Sequence, residues 1–385
     1  MSPGRAAPDD QTTRPAHDDR FKIGLVLQGG GALGAYQAGV YQALHEAGLE
    51  PDWVTGVSIG GINAALIAGN HPEKRVPRLR EFWEQVTSRK VWIGETPGGD
   101  GIRKLHNAWS SLLTSTMGQP GFFRPRVTNP WLAGRGGSGA TSFYDSGPLG
   151  RTLRTLVDYD LINEQAIRFA VGAVNVGSGN FTYFDNADGP ITCDHILASA
   201  ALPPAMPMVR IGDNHYWDGG MVSNTPLQHL LDHAGENNML VFQVDLFSAR
   251  GPIPRDMFDV QARTKEIQYS SRTRLTTDHY MQLHRAKVRM RKLLAKIPDD
   301  KLSPKERALK NELAFLPKIN ILHLIYQEAS YEGQTRDFEF SKASMLEHWD
   351  AGMRDTNQTL SHRDWLSLPA DEAGVVVHDA HRPEG

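Results

Sequence analysis

Two consecutive units, each an apolar run, a glycine-rich turn and a helical pattern, occupy residues 22–69 and constrain the fold more than any other feature. The first unit reads FKIGLVLQGGGALGAYQAGVYQAL and the second reads DWVTGVSIGGINAALIAG. Strands that alternate with helices at this spacing pair in parallel, because the intervening helix carries the chain back to the same end of the sheet. The pattern therefore predicts an α/β fold with a layered core around a mainly parallel sheet.

The size and composition of the chain are those of a globular protein. Its 385 residues are enough for one large domain or two ordinary ones, and 40% of them are hydrophobic. A formal net charge of −3 argues against a dedicated nucleic-acid-binding protein, so no nucleic acid is expected as a partner. The single cysteine, Cys193, excludes an intrachain disulfide and a cysteine-based zinc site, and it fits a reducing compartment.

The first 20 residues are polar and contain several prolines. They lack the apolar segment of a secretory signal, so residues 1–20 are predicted to be a disordered tail. No stretch of the chain approaches the roughly 18 apolar residues of a membrane-spanning helix. These features together predict a cytoplasmic protein.

The middle of the chain alternates irregular and regular patterns. Residues 94–142 are rich in glycine and proline with scattered aromatic side chains, which favours a packed loop or lid over a flexible linker. RFAVGAVNVGSGNFTYFD predicts two strands around a turn, and VRIGDNHYWDGG predicts a second hairpin. NMLVFQVDLF and INILHLIYQ predict buried strands.

The last third of the chain has a more helical texture. One long helix is predicted over 259–297, and between 263 and 296 the sequence contains ten Lys or Arg residues and only two acidic ones. A further helix is predicted after Ser341, which serves as its N-cap. The apolar positions that mark the long helix are Leu283, Ala286, Met290, Leu293 and Ile297.

The first glycine turn contains Gly29-x-Gly31-x-x-Gly34, a pattern also found in dinucleotide-binding proteins. That function needs an acidic residue at the end of the second strand to bind the ribose. Asp52 lies at the beginning of that strand instead, and the strand ends in VTGVS. The pattern thus disfavours a dinucleotide site, and no cofactor is expected.

The second glycine turn contains Gly56-x-Ser58-x-Gly60, the pattern of a nucleophile elbow. A glycine-rich turn with a capping serine produces the same letters, so the motif alone leaves both interpretations open. Its position after a predicted strand favours the elbow, since the N-terminus of the following helix favours a developing anion at Ser58. Two such turns lie side by side at one edge of a parallel sheet, where amides of Gly29–Gly31 could face a carbonyl attacked by Ser58.

Two residues are candidates for the base that would activate Ser58. His215 lies near Asp218, but its surroundings GDNHYW are typical of an exposed turn. Asp218 directly precedes two glycines and is held in a sharp turn, which is also what an ordinary Asp-Gly hairpin would show. No cluster of histidine, cysteine or carboxylate residues has the spacing of metal ligands, and no metal is expected.

A glycine-rich turn, GxSxG after the next strand and a distal Asp-Gly-Gly, in this order, resemble the patatin-like phospholipase family, over residues 22 to about 245. That family resembles cytosolic phospholipase A2 in using a Ser–Asp dyad without histidine. The resemblance implies a three-layer α/β/α core with a mainly parallel central sheet. It also implies the roles of the site residues: Ser58 is the nucleophile, Asp218 the general base, the amides of Gly29, Gly30 and Gly31 the oxyanion hole, and Gly56 and Gly60 the flanks of the elbow.

Two further segments bear on the resemblance. ASAALPPAMP at 198–207 is similar to a small-residue segment that the family packs near its site. Gln28 stands where many members have aspartate before the glycines, and little consequence is expected because the backbone acts there. The family resemblance implies a patatin-like catalytic domain over 21–250, with 94–142 as an insert or lid, after the tail at 1–20. A mainly helical extension over 251–365 follows and resembles that of a bacterial subset of the family. Residues 366–385 are predicted to be a second tail.

The predicted function is that of a serine lipid acyl hydrolase of phospholipase A, lysophospholipase or carboxylesterase type. An acyltransferase on the same dyad and a catalytically silent lipid-binding or regulatory protein are the alternatives. The expected partner is a phospholipid or another acyl ester, and a homo-oligomer stays open. Peripheral contact with the inner membrane surface is a further hypothesis, resting on the basic 263–296 helix and on a patch at Phe122, Phe123, Arg124 and Arg126.

Overall fold

The computed structural model describes residues 21–88, 118–137, 139–327, 339–369 and 373–379. The predicted tail over 1–20 and residues 94–117 of the predicted insert lie outside the described residues.

Within the described residues, nine strands form one sheet and two short strands form a separate hairpin. The strands are β1 (Lys22–Leu27), β2 (Trp53–Val57), β3 (Arg124–Pro125), β4 (Tyr144–Asp145), β5 (Arg168–Asn175), β6 (Phe181–Asp185), β7 (Val209–Ile211), β8 (Asn214–Asp218), β9 (Met239–Asp245), β10 (Ile319–Ile325) and β11 (Val375–Asp379). Six of them run parallel in the order β11-β10-β9-β1-β2-β5, while β6 and β8 are antiparallel to β5, and β7 to β8. The predicted mainly parallel sheet is confirmed.

The helices cover both faces of this sheet. They are α1 (Ala35–Glu46), α2 (Ile59–Ala68), α3 (Pro72–Val86), α4 (Gly147–Leu156), α5 (Tyr159–Asn163), α6 (Cys193–Ser199), α7 (Leu227–Asp232), α8 (Met257–Tyr269), α9 (Thr273–Leu294), α10 (Pro304–Glu312) and α11 (Lys342–Ser361). Each described helix is too short or too polar to span a lipid bilayer.

Side chains of β1 alternate between two apolar cores, as the period of a strand requires. Leu25 and Leu27 pack in a core with α1, α2 and α11, whereas Val26 packs in a second core with α7. All three side chains are fully buried. The α/β/α layering expected for the chain follows from this alternation.

The pairing of β5 explains how Ser58 and Asp218, 160 positions apart in the sequence, come to lie close together. β2 pairs with β5 only as far as Val57 opposite Gly172. β8 then pairs with the next residue, placing Asp218 opposite Ala173. Because β6 occupies the other edge of β5 at the same residues, β8 must continue the edge that β2 leaves. Asp218 therefore lies beside the end of β2, where Ser58 follows.

The region predicted as one helix over 259–297 is two helices, so that prediction is wrong. α8 ends at Tyr269 and α9 begins at Thr273. The break has a tertiary cause, since the Tyr269 carbonyl accepts hydrogen bonds from side chains of Gln28 (3.1 Å) and Asn224 (2.9 Å). Ser271 in the break donates its hydroxyl to the buried carboxylate of Asp245.

The apolar stripe that marked this helix does not face the core. Leu283, Met290 and Leu293 are 49%, 42% and 63% exposed, whereas the buried positions of α9 include His284 and Val288. The helix therefore rests on the protein through a more polar face, and its apolar stripe faces outward.

The region after residue 250 completes the sheet and one helical layer. β10 pairs with β9, and β11 pairs with β10, both in parallel. β11 lies inside the segment 366–385 that was predicted as a tail, which corrects that boundary. α11, which begins after the predicted N-cap Ser341, crosses α1 where Gly39 meets the Trp349 backbone and Gly352 meets the Tyr36 backbone.

Candidate active site

Ser58 occupies a strained turn between β2 and α2. Its φ of 56° and ψ of −125° lie outside the regions that a serine ordinarily adopts. The flanking glycines are required by crowding, since a Cβ at Gly56 would overlap the Gly60 backbone and one at Gly60 would overlap the Leu27 carbonyl. This is the geometry of a nucleophile elbow, with the half-buried serine at the N-terminus of α2.

The side chains of Ser58 and Asp218 lie close enough to interact, and both residues line one cavity. Asp218 is 1% exposed and accepts a hydrogen bond from the Gly220 amide at 2.7 Å. Burial raises the pKa of Asp218 to about 7, against the opposing effect of Ser58 and of the Gly220 amide, both of which favour the charged form. A carboxyl with this pKa can take up and return a proton near neutral pH.

Ser199 fixes the backbone of the turn from the opposite side. Its buried hydroxyl accepts a hydrogen bond from the Ser58 amide at 3.0 Å and donates one to the Gly172 carbonyl at 2.7 Å. The side chain thus ties the elbow to β5, the strand that also positions Asp218. The amide of Ser58 is therefore engaged in this hydrogen bond.

The three glycine amides predicted to form an oxyanion hole, in the turn after β1, differ in their hydrogen bonds. The amide of Gly29 donates to the Asn224 carbonyl at 3.2 Å, which corrects its expected part in the oxyanion hole. Among the described residues, no backbone acceptor pairs with the amides of Gly30 and Gly31. Both residues line the same cavity as Ser58, and Gly31 has a φ of 57° that favours glycine.

Side chains of Gln28 and Asn224 hold this glycine turn in place. The Gln28 amide oxygen accepts hydrogen bonds from the Leu246 and Phe247 amides at 2.6 and 2.9 Å. Asn224 donates its side-chain amide to the Gly29 carbonyl at 3.0 Å. Gln28 is therefore more connected than the sequence led us to expect.

A cavity of about 300 Å³ opens in front of Ser58 and Asp218. Its walls are mainly apolar and include the side chains of Phe122, Phe123, Leu202, Met206, Phe247 and Phe340. Phe122 and Phe123 are 9% and 4% exposed, so the two rings predicted as part of a membrane patch belong to the cavity wall instead. Leu202 and Met206 come from the predicted small-residue segment, which thus lies at the site.

Other candidates from the sequence lie outside the site. His215 is exposed on the β7–β8 hairpin, as predicted. Asp52 binds the amide of Ile23 at 2.8 Å at the start of the strands, far from the glycine turns at their ends. Within the described residues, no three histidine, cysteine, aspartate or glutamate side chains are grouped to hold a metal ion.

Ser199, Asn224 and Tyr269 were missed by the sequence reasoning. Their contacts join residues 45 to 195 positions apart, and no local pattern encodes such distances. The segment ASAALPPAMP was singled out for its small residues, and it does contain Ser199.

Comparisons with known proteins identify related sequences. A family model described as Patatin-like phospholipase matches residues 25–231, and another described as Patatin phospholipase matches residues 267–372. Among curated proteins, Lysophospholipase nte1 from Aspergillus terreus is 56% identical over 46 residues, 12% of this chain and 3% of that protein. Patatin-like phospholipase domain-containing protein 6 from Homo sapiens is 46% identical over 67 residues, 17% of this chain and 5% of that protein.

The chain thus matches only a small part of the length of these relatives. Among solved structures, VipD from Legionella pneumophila is similar at 15% identity and a TM-score of 0.39, covering 89% of this chain and 67% of that one. The first family match covers more than half of the chain and contains both Ser58 and Asp218. The protein therefore belongs to the patatin-like phospholipase family.

Proposed function

We propose that the protein hydrolyses acyl esters of phospholipids or lysophospholipids through a covalent intermediate on Ser58, with Asp218 as the general base. The observation that carries the proposal is that Ser58, held in a strained turn, lies beside a fully buried carboxyl whose pKa is raised to about 7. The apolar cavity in front of this pair suits an acyl chain, and the similarity to a fungal lysophospholipase supports the same substrate class.

In the first half of the reaction, Ser58 Oγ attacks the ester carbonyl and its proton passes to the Asp218 carboxylate. The negative charge that develops on the carbonyl oxygen is stabilised by the amides of Gly30 and Gly31 and by the N-terminus of α2. When the C–O ester bond breaks, the leaving alcohol takes the proton from Asp218. The acyl group then remains on Ser58.

In the second half, water takes the place of the alcohol. Asp218 accepts a proton from the water as it attacks the acyl carbonyl, and the same amides stabilise the oxyanion. Cleavage of the acyl–Oγ bond releases the fatty acid, and Ser58 Oγ recovers the proton from Asp218. The cycle needs neither histidine nor a net gain of protons by the protein.

The test compares wild type with Ser58→Ala and Asp218→Asn, using p-nitrophenyl esters and mixed phospholipid vesicles as substrates. We expect release of p-nitrophenol and free fatty acid by wild type and a loss of at least about 10³-fold in both variants. Retained folding is checked by thermal unfolding. An inert wild type, or undiminished turnover by Ser58→Ala, would contradict the proposal. Transfer of the acyl group to an added alcohol in preference to water would show an acyltransferase instead.

A further inference from the structure

The hairpin formed by β3 and β4 carries large apolar side chains into solvent. Val127, Trp131 and Leu132 are 105%, 86% and 83% exposed, more than the other large apolar residues near the cavity. These three residues, which we call the hairpin patch, lie in the connection between the two strands. Exposed apolar groups at this density on one loop are typical of an interaction site.

The base of this hairpin is part of the cavity wall. Phe123, which immediately precedes β3, lines the cavity, and β4 is anchored by a hydrogen bond from the Tyr144 amide to the carbonyl of Ala205, another lining residue, at 2.9 Å. Met221 and Val222, directly after the lining residue Gly220, are also 45% and 53% exposed. The hairpin patch therefore projects from the mouth of the site.

The charge of the hairpin is positive. Residues 118–145 contain three arginines, Arg124, Arg126 and Arg135, and one acidic residue, Asp145. Asp145 lies at the base, where it pairs with Arg124 at 2.7 Å and its pKa is lowered in spite of partial burial. Arg126 lies nearer this base, since it donates to the Ser142 hydroxyl at 3.0 Å and also acts on Asp145, whereas the exposed Arg135 follows Leu132 by only three residues.

We infer that the hairpin patch inserts into the interfacial region of an anionic phospholipid surface and so brings the cavity mouth to its substrate. Tryptophan prefers the membrane interface, where an apolar ring and a polar N–H are both accommodated. The net positive charge of the hairpin attracts anionic headgroups. The same charges oppose pairing of this patch with a second copy of itself. The inference rests on the proposed function for its purpose, but the surface is defined by its own residues.

The exposed stripe of α9 is the rival membrane surface, since it is also apolar and basic. α9 begins beside the end of β9, where Thr273 bonds to Gln243 at 2.5 Å. By His284 it has reached Gly374, which directly precedes the start of β11. Leu283 and the apolar residues after it therefore lie near the N-terminal ends of the parallel strands, whereas the cavity lies at their C-terminal ends. A membrane bound there would not meet the cavity mouth.

The experiment measures binding of the full-length chain to vesicles by sedimentation, with Ser58→Ala in every protein so that lipid is not consumed. Vesicles contain phosphatidylcholine with or without phosphatidylglycerol. The test variant is Trp131→Ser with Leu132→Ser, and the matched control is Leu283→Ser with Met290→Ser on α9. All four positions are exposed and lie outside the proposed catalytic machinery, so folding should persist.

We expect the hairpin variant to lose vesicle binding by more than about tenfold, because withdrawing one large apolar side chain from an apolar phase already shifts an equilibrium by that factor. The α9 control should bind as the parent does, and binding should require phosphatidylglycerol. In the active background, the hairpin variant should hydrolyse p-nitrophenyl esters normally and vesicle lipid poorly.

Unchanged binding by the hairpin variant, loss of binding by the α9 control, or no binding by the parent would each overturn the inference. The inference would also be overturned if the parent protein is a dimer and the only effect of the hairpin variant is to make it a monomer, because the patch would then bind a second copy of the chain. Failure of the proposed function gives a different result, namely no ester hydrolysis in the active background, while the binding measurement on Ser58→Ala proteins still reports on the surface.

Discussion

Asp218 is buried at a position where a charge is costly, and this cost suits it to the proposed role of general base. Desolvation raises its pKa to about 7, so the carboxylate is more basic than it would be in water and still ionised in a large fraction of molecules at neutral pH. Ser58 provides the hydroxyl that lies beside this carboxyl. The chemistry of the site is thus set by burial and one contact.

The same burial should make Asp218 a destabilising residue. In the unfolded chain the carboxyl group of Asp218 loses its proton near the ordinary aspartate pKa of 3.8, but in the folded protein it does so only near 7. Below the lower value both states are protonated and there is no cost; between the two values the cost grows with pH, and above the higher value it is complete. Asp218→Asn should therefore raise the free energy of unfolding by roughly 1–4 kcal/mol at about pH 8 and by little at about pH 4.

This prediction is checked by urea unfolding of wild type and Asp218→Asn at the two pH values, with Ser58→Ala as the control that retains the carboxyl. If Asp218→Asn is less stable than wild type at the higher pH, the account of Asp218 as a buried carboxyl with a raised pKa is contradicted.

Ser199 should act on the rate through the position of Ser58. Ser199→Ala removes the acceptor of the Ser58 amide, so the strained turn can relax and the nucleophile loses alignment. We expect kcat for a p-nitrophenyl ester to fall about tenfold with KM nearly unchanged. Ser88→Ala removes an exposed hydroxyl that donates to the Gln85 carbonyl, and as the control it should change neither constant. Equal kinetics for both variants would exclude a positioning role for Ser199.

At the scale of elements, local patterns in the sequence predicted most strands and helices of the core, because glycine turns and apolar periods encode them directly. The break between α8 and α9 was not predictable, since the Tyr269 carbonyl turns to Gln28 and Asn224, which are distant in sequence. The outward stripe of α9 was missed for a related reason. Apolar periodicity marks a face of a helix, but it does not say which face the rest of the fold covers.

The crossing of α1 and α11 depends on two glycines and should fail when one is filled. A methyl group at Gly352 would overlap the Tyr36 backbone, which cannot move as a side-chain tip can. We expect Gly352→Ala to lower the free energy of unfolding by about 1–3 kcal/mol, despite the better helix propensity of alanine. Gly189→Ala, with nothing within 4 Å of its added methyl group, is the control. Chemical denaturation measures both, and an unchanged Gly352→Ala would mean that the helices are not in close contact.

At the scale of the whole molecule, the region after residue 250 is structurally inseparable from the candidate site. It supplies β10 and β11, and its helix α11 covers α1. It also contributes two residues to the lining of the cavity, Lys265 and Tyr269, the second of which packs against Phe247. The sequence resemblance ended near residue 245, so the division at 250 followed motifs rather than packing. The order of the motifs predicted which residues meet at the site. The pairing of β10 with β9 and the packing of α11 on α1 join segments that no local pattern connects, so only the structure shows them.

A chain that ends at residue 250 should therefore not fold. The edge of β9, whose residues are all buried, would be exposed together with the surface of α1 that now packs on α11. We expect insoluble protein or loss of cooperative thermal unfolding. Deletion of residues 2–20, the predicted tail, is the control and should leave unfolding unchanged. A soluble 1–250 fragment with esterase activity would contradict this view.

Covalent labelling with a fluorophosphonate tests the central claim, that Asp218 activates Ser58, most directly. Peptide mass spectrometry should place the label on Ser58, and the labelling rate of wild type should fall about tenfold for each pH unit below 7, because the base must be deprotonated. Asp218→Asn should label far more slowly at and above pH 7 and without this dependence, so that the two rates converge as the pH falls. Label on another serine, or an Asp218→Asn variant that labels as fast as wild type, would contradict the dyad.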